Sequence, residues 1–245
     1  SMCIICERLA GTSGQPLFRR HTESMSTPFE RLKQACWAEW RAYCEHEFVR
    51  QLGAGTLPME AFQHYLKQDY LFLVHFGRAW GLAVYKSKDI GQLRQSLASL
   101  KAIIDIELDL HVKFCAEWGI RESELAELQE SRATLAYTRY VLEAGNRGDI
   151  LDLHVALAPC IVGYAEIGNW LVDQRFTVRM GNPYGAWLDM YTSREFQNAA
   201  QAEVEWINAQ MEGVSETRFR ELARIFSEAT RLEADFWQMG LTLQD

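Results

Sequence analysis

Residues Leu153–Leu171 read LHVALAPCIVGYAEIGNWL, and this stretch decides the fold class. Leu153, Ala156, Cys160, Tyr164, Ile167 and Leu171 recur at spacings of three and four, so they share one face of a helix. Pro159 falls inside that helix. It lacks an N–H, and its ring crowds the carbonyl four residues back, so the stretch predicts a helix kinked at its middle. Cys160 follows at once, with Tyr164 one turn on. A thiol on an inward face beside a helix defect is either a nucleophile or core filler. On these residues alone filler is favoured, because free Cys is among the most buried residue types.

The same periodicity extends outward in both directions. Thr27-Pro28-Phe29-Glu30 is a capping box with Pro at the first helical position, opening a helix to about Leu52 that Gly53-Ala54-Gly55 stops. A second helix runs from Thr56-Leu57-Pro58 to about Lys86, with Phe62, Leu66, Leu73, Phe76 and Trp80 as its apolar stripe. Asp69 lies in that stripe, and a buried carboxylate is expensive unless partnered. A third helix covers residues 88–118, where Glu107 and His111 stand four apart, a spacing open to metal ligands but more often a surface acid–His pair. A fourth is expected from about Ser123 to Ala144, with Tyr137, Tyr140, Val141 and Ala144 on one face. Asp149 is placed to cap the Cys160 helix. Arg175–Tyr184 is a turn-rich joint, followed by a short helix carrying Trp187 and Tyr191. Thr192-Ser193-Arg194-Glu195 reads as a second capping box, for a helix to about Met211. The last helix spans about Glu216 to Gly240, and Glu233 sits in its stripe between Ala229 and Phe236. No strand alternation, repeat or linker interrupts this pattern. The expectation is an all-α bundle forming one domain over 27–245, preceded by an arm at 1–26.

The 245 residues are 48% hydrophobic and carry a net charge of −8, with no run of Lys or Arg. That balance describes a packed protein and argues against nucleic acid or an anionic membrane as partner. No uninterrupted apolar run nears the roughly 18 residues of a membrane span. Ser1 reads as a leftover ahead of a start at Met2, and nothing resembles a secretory signal. The six Cys include a CxxC at Cys3 and Cys6 with no second CxxC and no flanking His, a weak zinc signal. A reducing, cytoplasmic setting fits them best.

Asp69, Tyr137, Cys160 and Glu233 are thus unusual inward residues on four helices. A thiol with two inward carboxylates suits a small-molecule pocket between helices, where the thiol attacks an electrophilic carbon and the carboxylates handle protons. Burial raises a carboxylate's pKa towards neutrality, which favours that role.

Several segments, in this order and spacing, resemble the TenA (thiaminase II) family. They are Gln68-Asp69-Tyr70 with Phe72 and Phe76; Ala136-Tyr137-Thr138; Pro159-Cys160 with Tyr164, Glu166 and Gly168; Pro183-Tyr184 with Trp187 and Tyr191; and Glu233 with Phe236-Trp237. The resemblance covers about residues 28–241 and implies a heme-oxygenase-like helical fold. It also implies hydrolysis of aminopyrimidines derived from thiamine, notably 4-amino-5-aminomethyl-2-methylpyrimidine to the hydroxymethyl pyrimidine in thiamine salvage, and of thiamine itself. By motif position Cys160 would be the nucleophile, and Glu233 would serve a ring nitrogen and the departing amine. Asp69 would hold the exocyclic amine, Tyr137 and Tyr191 would hydrogen-bond near the thiol, and Phe72 and Tyr164 would line the pocket. The family's chemistry uses no metal or organic cofactor, and its members are usually homotetramers. One departure stands out: the segment after the Cys is often aromatic-rich, and here it is Ile161-Val162-Gly163.

Two other classes compete. A di-iron oxidase on the same scaffold could begin from Glu107 and His111, but His154 has no later His partner. A non-catalytic pyrimidine-binding or regulatory protein would keep the pocket without the chemistry.

Overall fold

The computed structural model describes residues 26–245, so the arm and the Cys3–Cys6 pair lie outside the described residues. All the regular elements within it are helical: α1 (Pro28–Ala35), α2 (Trp37–Cys44), α3 (Glu47–Ala54), α4 (Met59–Lys86), α5 (Ile90–Ala102), α6 (Leu108–Glu117), α7 (Glu122–Leu125), α8 (Arg132–Arg147), α9 (Ile150–Ala158), α10 (Tyr164–Val172), α11 (Gly185–Tyr191), α12 (Arg194–Met211) and α13 (Glu216–Thr242). π-helical turns join α5 to α6 (Ile103–Glu107) and α9 to α10 (Pro159–Gly163).

Caps begin the helices where the sequence placed them, with exceptions. Thr27 and Glu30 complete the capping box of α1. Asp149 caps α9 and forms a box with Asp152, which Arg218 of α13 then clamps at 2.8 and 2.9 Å. The helix expected to run unbroken to Leu52 is three short ones, because Cys36 (φ −136°, ψ 43°) and Glu45 (φ −111°, ψ 22°) leave helical geometry. The apolar period continues through both breaks, so only the backbone reveals them. The helix expected from Ser123 is also corrected. A single turn ends at Leu125, and α8 starts at Arg132 under a Ser131 cap. The Thr192 box is not formed; Ser193 caps α12 instead, accepting from the Phe196 N–H.

The long helix α13 lies against α2, α4, α8 and α9, and buried aromatic rings fill the space between them. Trp237 of α13 stacks on Phe48 at 4.8 Å and on Tyr164 at 5.3 Å. Such pairs add about 1 kcal/mol each beyond the area they bury. Counted across its kink, Ile150–Val172 is 23 residues and apolar enough to cross a membrane, longer than the uninterrupted apolar runs of the sequence suggest. Within the bundle 94% of its apolar window is buried, so neighbouring helices cover it.

Candidate active site

The kink expected at Pro159 is a full π turn. Proline removes one helical hydrogen bond, and the chain takes up the slack as a wider turn over residues 159–163. The Pro159 carbonyl accepts a hydrogen bond from Tyr43 Oη at 2.7 Å. Tyr43 comes this close only because residue 163 is glycine: a Cβ there would meet the Tyr43 ring at 2.3 Å. An aromatic ring therefore does sit beside the segment after the cysteine, but α2 supplies it.

Cys160 stands in this turn, buried, with its thiol donating to the Leu157 carbonyl at 3.0 Å. Across from it, Tyr137 of α8 donates to Glu233 Oε1 of α13 at 2.7 Å, and the Tyr137 hydroxyl and the Cys160 side chain are close enough to act on each other. Cys160, Tyr137 and Glu233 thus form one chain of polar groups inside an otherwise apolar core. Burial pushes the Cys160 thiol well above its ordinary range, and the Glu233 charge adds to that. Burial also pushes Glu233 up to about 7, against the opposing hydrogen bond from Tyr137. A protonated thiol beside a carboxylate poised at neutrality can pass a proton along Tyr137.

The other residues expected from the sequence surround this chain. Phe72 of α4 stacks on Tyr137 with ring centres 5.2 Å apart. Tyr164 meets Tyr191 edge to face at 4.9 Å. Asp69, three residues before Phe72, is buried and lies 4.0 Å from His111 Nδ1. It shares a face of α4 with Tyr65 and Phe72, and so lies on the side of that helix turned to the same centre.

Glu107 and His111 are a correction. They are fully buried, not a surface pair, and His111 Nε2 meets the Leu66 carbonyl at 2.8 Å. His154 pairs instead with Glu203 of α12 at 2.7 Å. Among the described residues, no group of three His, Cys, Asp or Glu side chains converges as a metal would require.

Sequence reasoning missed Tyr65, whose hydroxyl meets Tyr164 Oη at 3.3 Å and Trp187 Nε1 at 3.4 Å. It lies four before Asp69 and seven before Phe72 on one helix face, a signal that was available. Tyr43 gave no such signal, because its role depends on a glycine 120 residues away in the chain.

Against known proteins, residues 34–243 match the model of the TENA/THI-4/PQQC family. An uncharacterized protein of Haemophilus influenzae is 44% identical over 87% of this chain and 99% of its own length. An aminopyrimidine aminohydrolase of Halalkalibacterium halodurans is 35% identical over 82% of this chain and 89% of its own. Among solved structures, a TenA family transcription regulator of Silicibacter sp. TM1040 superposes with a TM-score of 0.82 at 42% identity, covering 88% of this chain and 96% of that one. The bundle has the heme-oxygenase-like fold. Named relatives of this kind support hydrolase activity in the family. With the match spanning α2 through α13 and the polar chain at its centre, the protein belongs to the TENA/THI-4/PQQC family.

Proposed function

We propose that this chain is an aminopyrimidine aminohydrolase. It would convert 4-amino-5-aminomethyl-2-methylpyrimidine and water to the hydroxymethyl pyrimidine and ammonia, with thiamine as a second substrate. The observation that carries this reading is the buried chain Cys160–Tyr137–Glu233, with Phe72 stacked against it. The chemistry follows from those groups. Cys160 Sγ adds to a ring carbon while its proton moves through Tyr137 to Glu233. The displaced electron pair settles on a ring nitrogen, which takes that proton from Glu233. With the ring no longer aromatic, electron release from the 4-amino group, held by Asp69, expels the aminomethyl nitrogen, which enters as its ammonium form and leaves as ammonia. Water adds at that carbon and gives its surplus proton to the ammonia, and departure of the thiolate, which regains the ring-nitrogen proton through Glu233 and Tyr137, restores the ring. Phe72 supplies the stacking face, and Tyr164 and Tyr191 close the opposite wall.

The reading takes the protein as cytoplasmic and without a metal or organic cofactor. Four buried and unbridged thiols, Cys36, Cys44, Cys115 and Cys160, support a reducing compartment. It also takes the protein as a homotetramer. Ile90, Leu93 and Leu97 stand exposed at spacings of three and four along α5, and Ile104 and Ile106 extend them. A second copy presenting the same stripe would be self-complementary to it.

Mixing the protein with the aminopyrimidine tests the activity. Ammonia and hydroxymethyl pyrimidine in equal amounts are expected. Binding of the aminopyrimidine with no ammonia from it or from thiamine would overturn the reading in favour of a non-catalytic role.

A further inference from the structure

Cys160, Tyr137, Asp69 and Glu233 are all buried, so a substrate must enter by a route that opens. One cleft reaches inward beside them, between α4 and α8. Its inner wall holds Phe72, which stacks on Tyr137, and Leu157, whose carbonyl accepts the Cys160 thiol. His75, the most exposed of its lining residues, and buried Thr138 complete the cleft towards Arg139. The space inside is about 10 Å³, no more than one water needs. A pyrimidine ring therefore passes only if α4 and α8 part at this point.

A polar cluster spans the mouth. Arg139 of α8 donates to both carboxylate oxygens of Glu130 at 2.7 Å and to Thr138 Oγ1 at 2.9 Å. Glu130 lies in the segment joining α7 to α8, and His75 of α4 meets its Oε1 at 2.5 Å. Arg78 donates to His75 Nδ1 at 2.9 Å, and Arg139 Nη1 approaches the other ring nitrogen, Nε2, at 2.9 Å. The cluster thus ties α4, the connecting segment and α8 together across the cleft. It lies at the surface, with the Arg139 side chain 47% exposed. A bidentate pair in that position is geometrically specific yet weak enough to break and re-form. Deeper in, Gln68 accepts at its Oε1 from the Ser131 N–H and the Thr134 hydroxyl, and this keeps the start of α8 in place when the outer cluster opens.

We propose that the α4–α8 cleft is the entry route to Cys160, and that the Arg139–Glu130–His75 cluster is the latch across its mouth. The inference uses the proposed function for the need of a route, but its test does not depend on turnover.

The test measures alkylation of Cys160 by 4-vinylpyridine, a flat heterocycle about the size of the substrate ring, by peptide mass mapping at fixed pH. The Cys160 sulfur bonds to the terminal vinyl carbon and the thiol proton is replaced on the neighbouring carbon, so no other reactant is needed. Arg139→Gln and, separately, Glu130→Gln should each speed Cys160 modification about fivefold, the factor a partly exposed ion pair is worth. Arg139→Lys should fall between Gln and the native residue. Cys36, Cys44 and Cys115 are read in the same digests and should keep their native rates. Unchanged Cys160 rates in both Gln variants would overturn the latch. Equal acceleration at all four cysteines would overturn it too, because it would show general loosening instead of one route. Failure of the proposed reaction would show separately, as absent ammonia release with the alkylation pattern intact.

Discussion

The role proposed for Cys160 rests on neighbours that its own sequence surroundings do not reveal. A buried thiol is ordinary; a buried thiol beside Tyr137, which bonds Glu233, offers the proton path that the proposed reaction needs. Tyr137→Phe breaks the path at its middle, and kcat for ammonia release should fall about 100-fold, with KM far less affected. Glu233 sets the pH behaviour. With its carboxyl pushed up to about 7 by burial, it becomes a proton acceptor only above that value, so kcat/KM should rise with pH through about 7. Glu233→Gln should abolish that limb along with the activity. The same shift has a stability consequence of opposite sign. The folded state holds a proton on Glu233 that the unfolded chain releases at its ordinary carboxylate pKa. Native stability should therefore decline between about pH 4.5 and 7 by about 3 kcal/mol relative to the Gln variant. Urea titrations of both proteins across that range measure the difference, and parallel curves would contradict the buried-carboxylate reading. At this scale the sequence was informative: Asp69 and Glu233 betrayed themselves by lying in apolar stripes. Tyr65 shared such a stripe and was overlooked, because an aromatic there reads as packing.

Helices α4 and α13 were legible from their apolar period and caps, since both are long, amphipathic and bounded by caps or prolines. The breaks at Cys36 and Glu45 and the π turn at Ile103–Glu107 were not, because a one-residue change in helical winding leaves the apolar pattern nearly intact; at Pro159 the proline marked a kink but not its π winding. The segment between α7 and α8 contains neither Gly nor Pro, so nothing in its composition marked it as non-helical. The Pro159–Gly163 turn is where this matters for function. Pro159→Ala restores the missing N–H and should let the turn relax towards an α-helix, moving the thiol away from Tyr137. The expected result is a folded protein with lowered kcat; full activity with an unmoved thiol would contradict it. Gly163→Ala attacks the same turn from the other side. Its new methyl collides with the Tyr43 ring, which is held by the Pro159 carbonyl, and should cost about 1–3 kcal/mol of stability by denaturant titration.

At the scale of the whole molecule, seven elements supply the site and surround it: α2, α4, α8, the π turn, α10, α11 and α13. The walls of this centre are therefore fixed by several different helices. This arrangement explains why the all-α architecture was readable from one sequence while the convergence of these walls was not, for contact between Tyr137 and Glu233 depends on the packing of helices 96 positions apart. The exposed α5 stripe belongs to this scale as well. For the proposed homotetramer, Leu97→Glu should reduce the sedimenting mass below that of the native protein while leaving each chain folded, and an unchanged mass would contradict a contact through this stripe. The most direct test of the central claim remains the fate of the thiol. Ammonia release from 4-amino-5-aminomethyl-2-methylpyrimidine should be readily measured for the native protein and lost by about a thousandfold or more in a folded Cys160→Ala variant. Native-level turnover by that variant would contradict the assignment of Cys160 as the nucleophile.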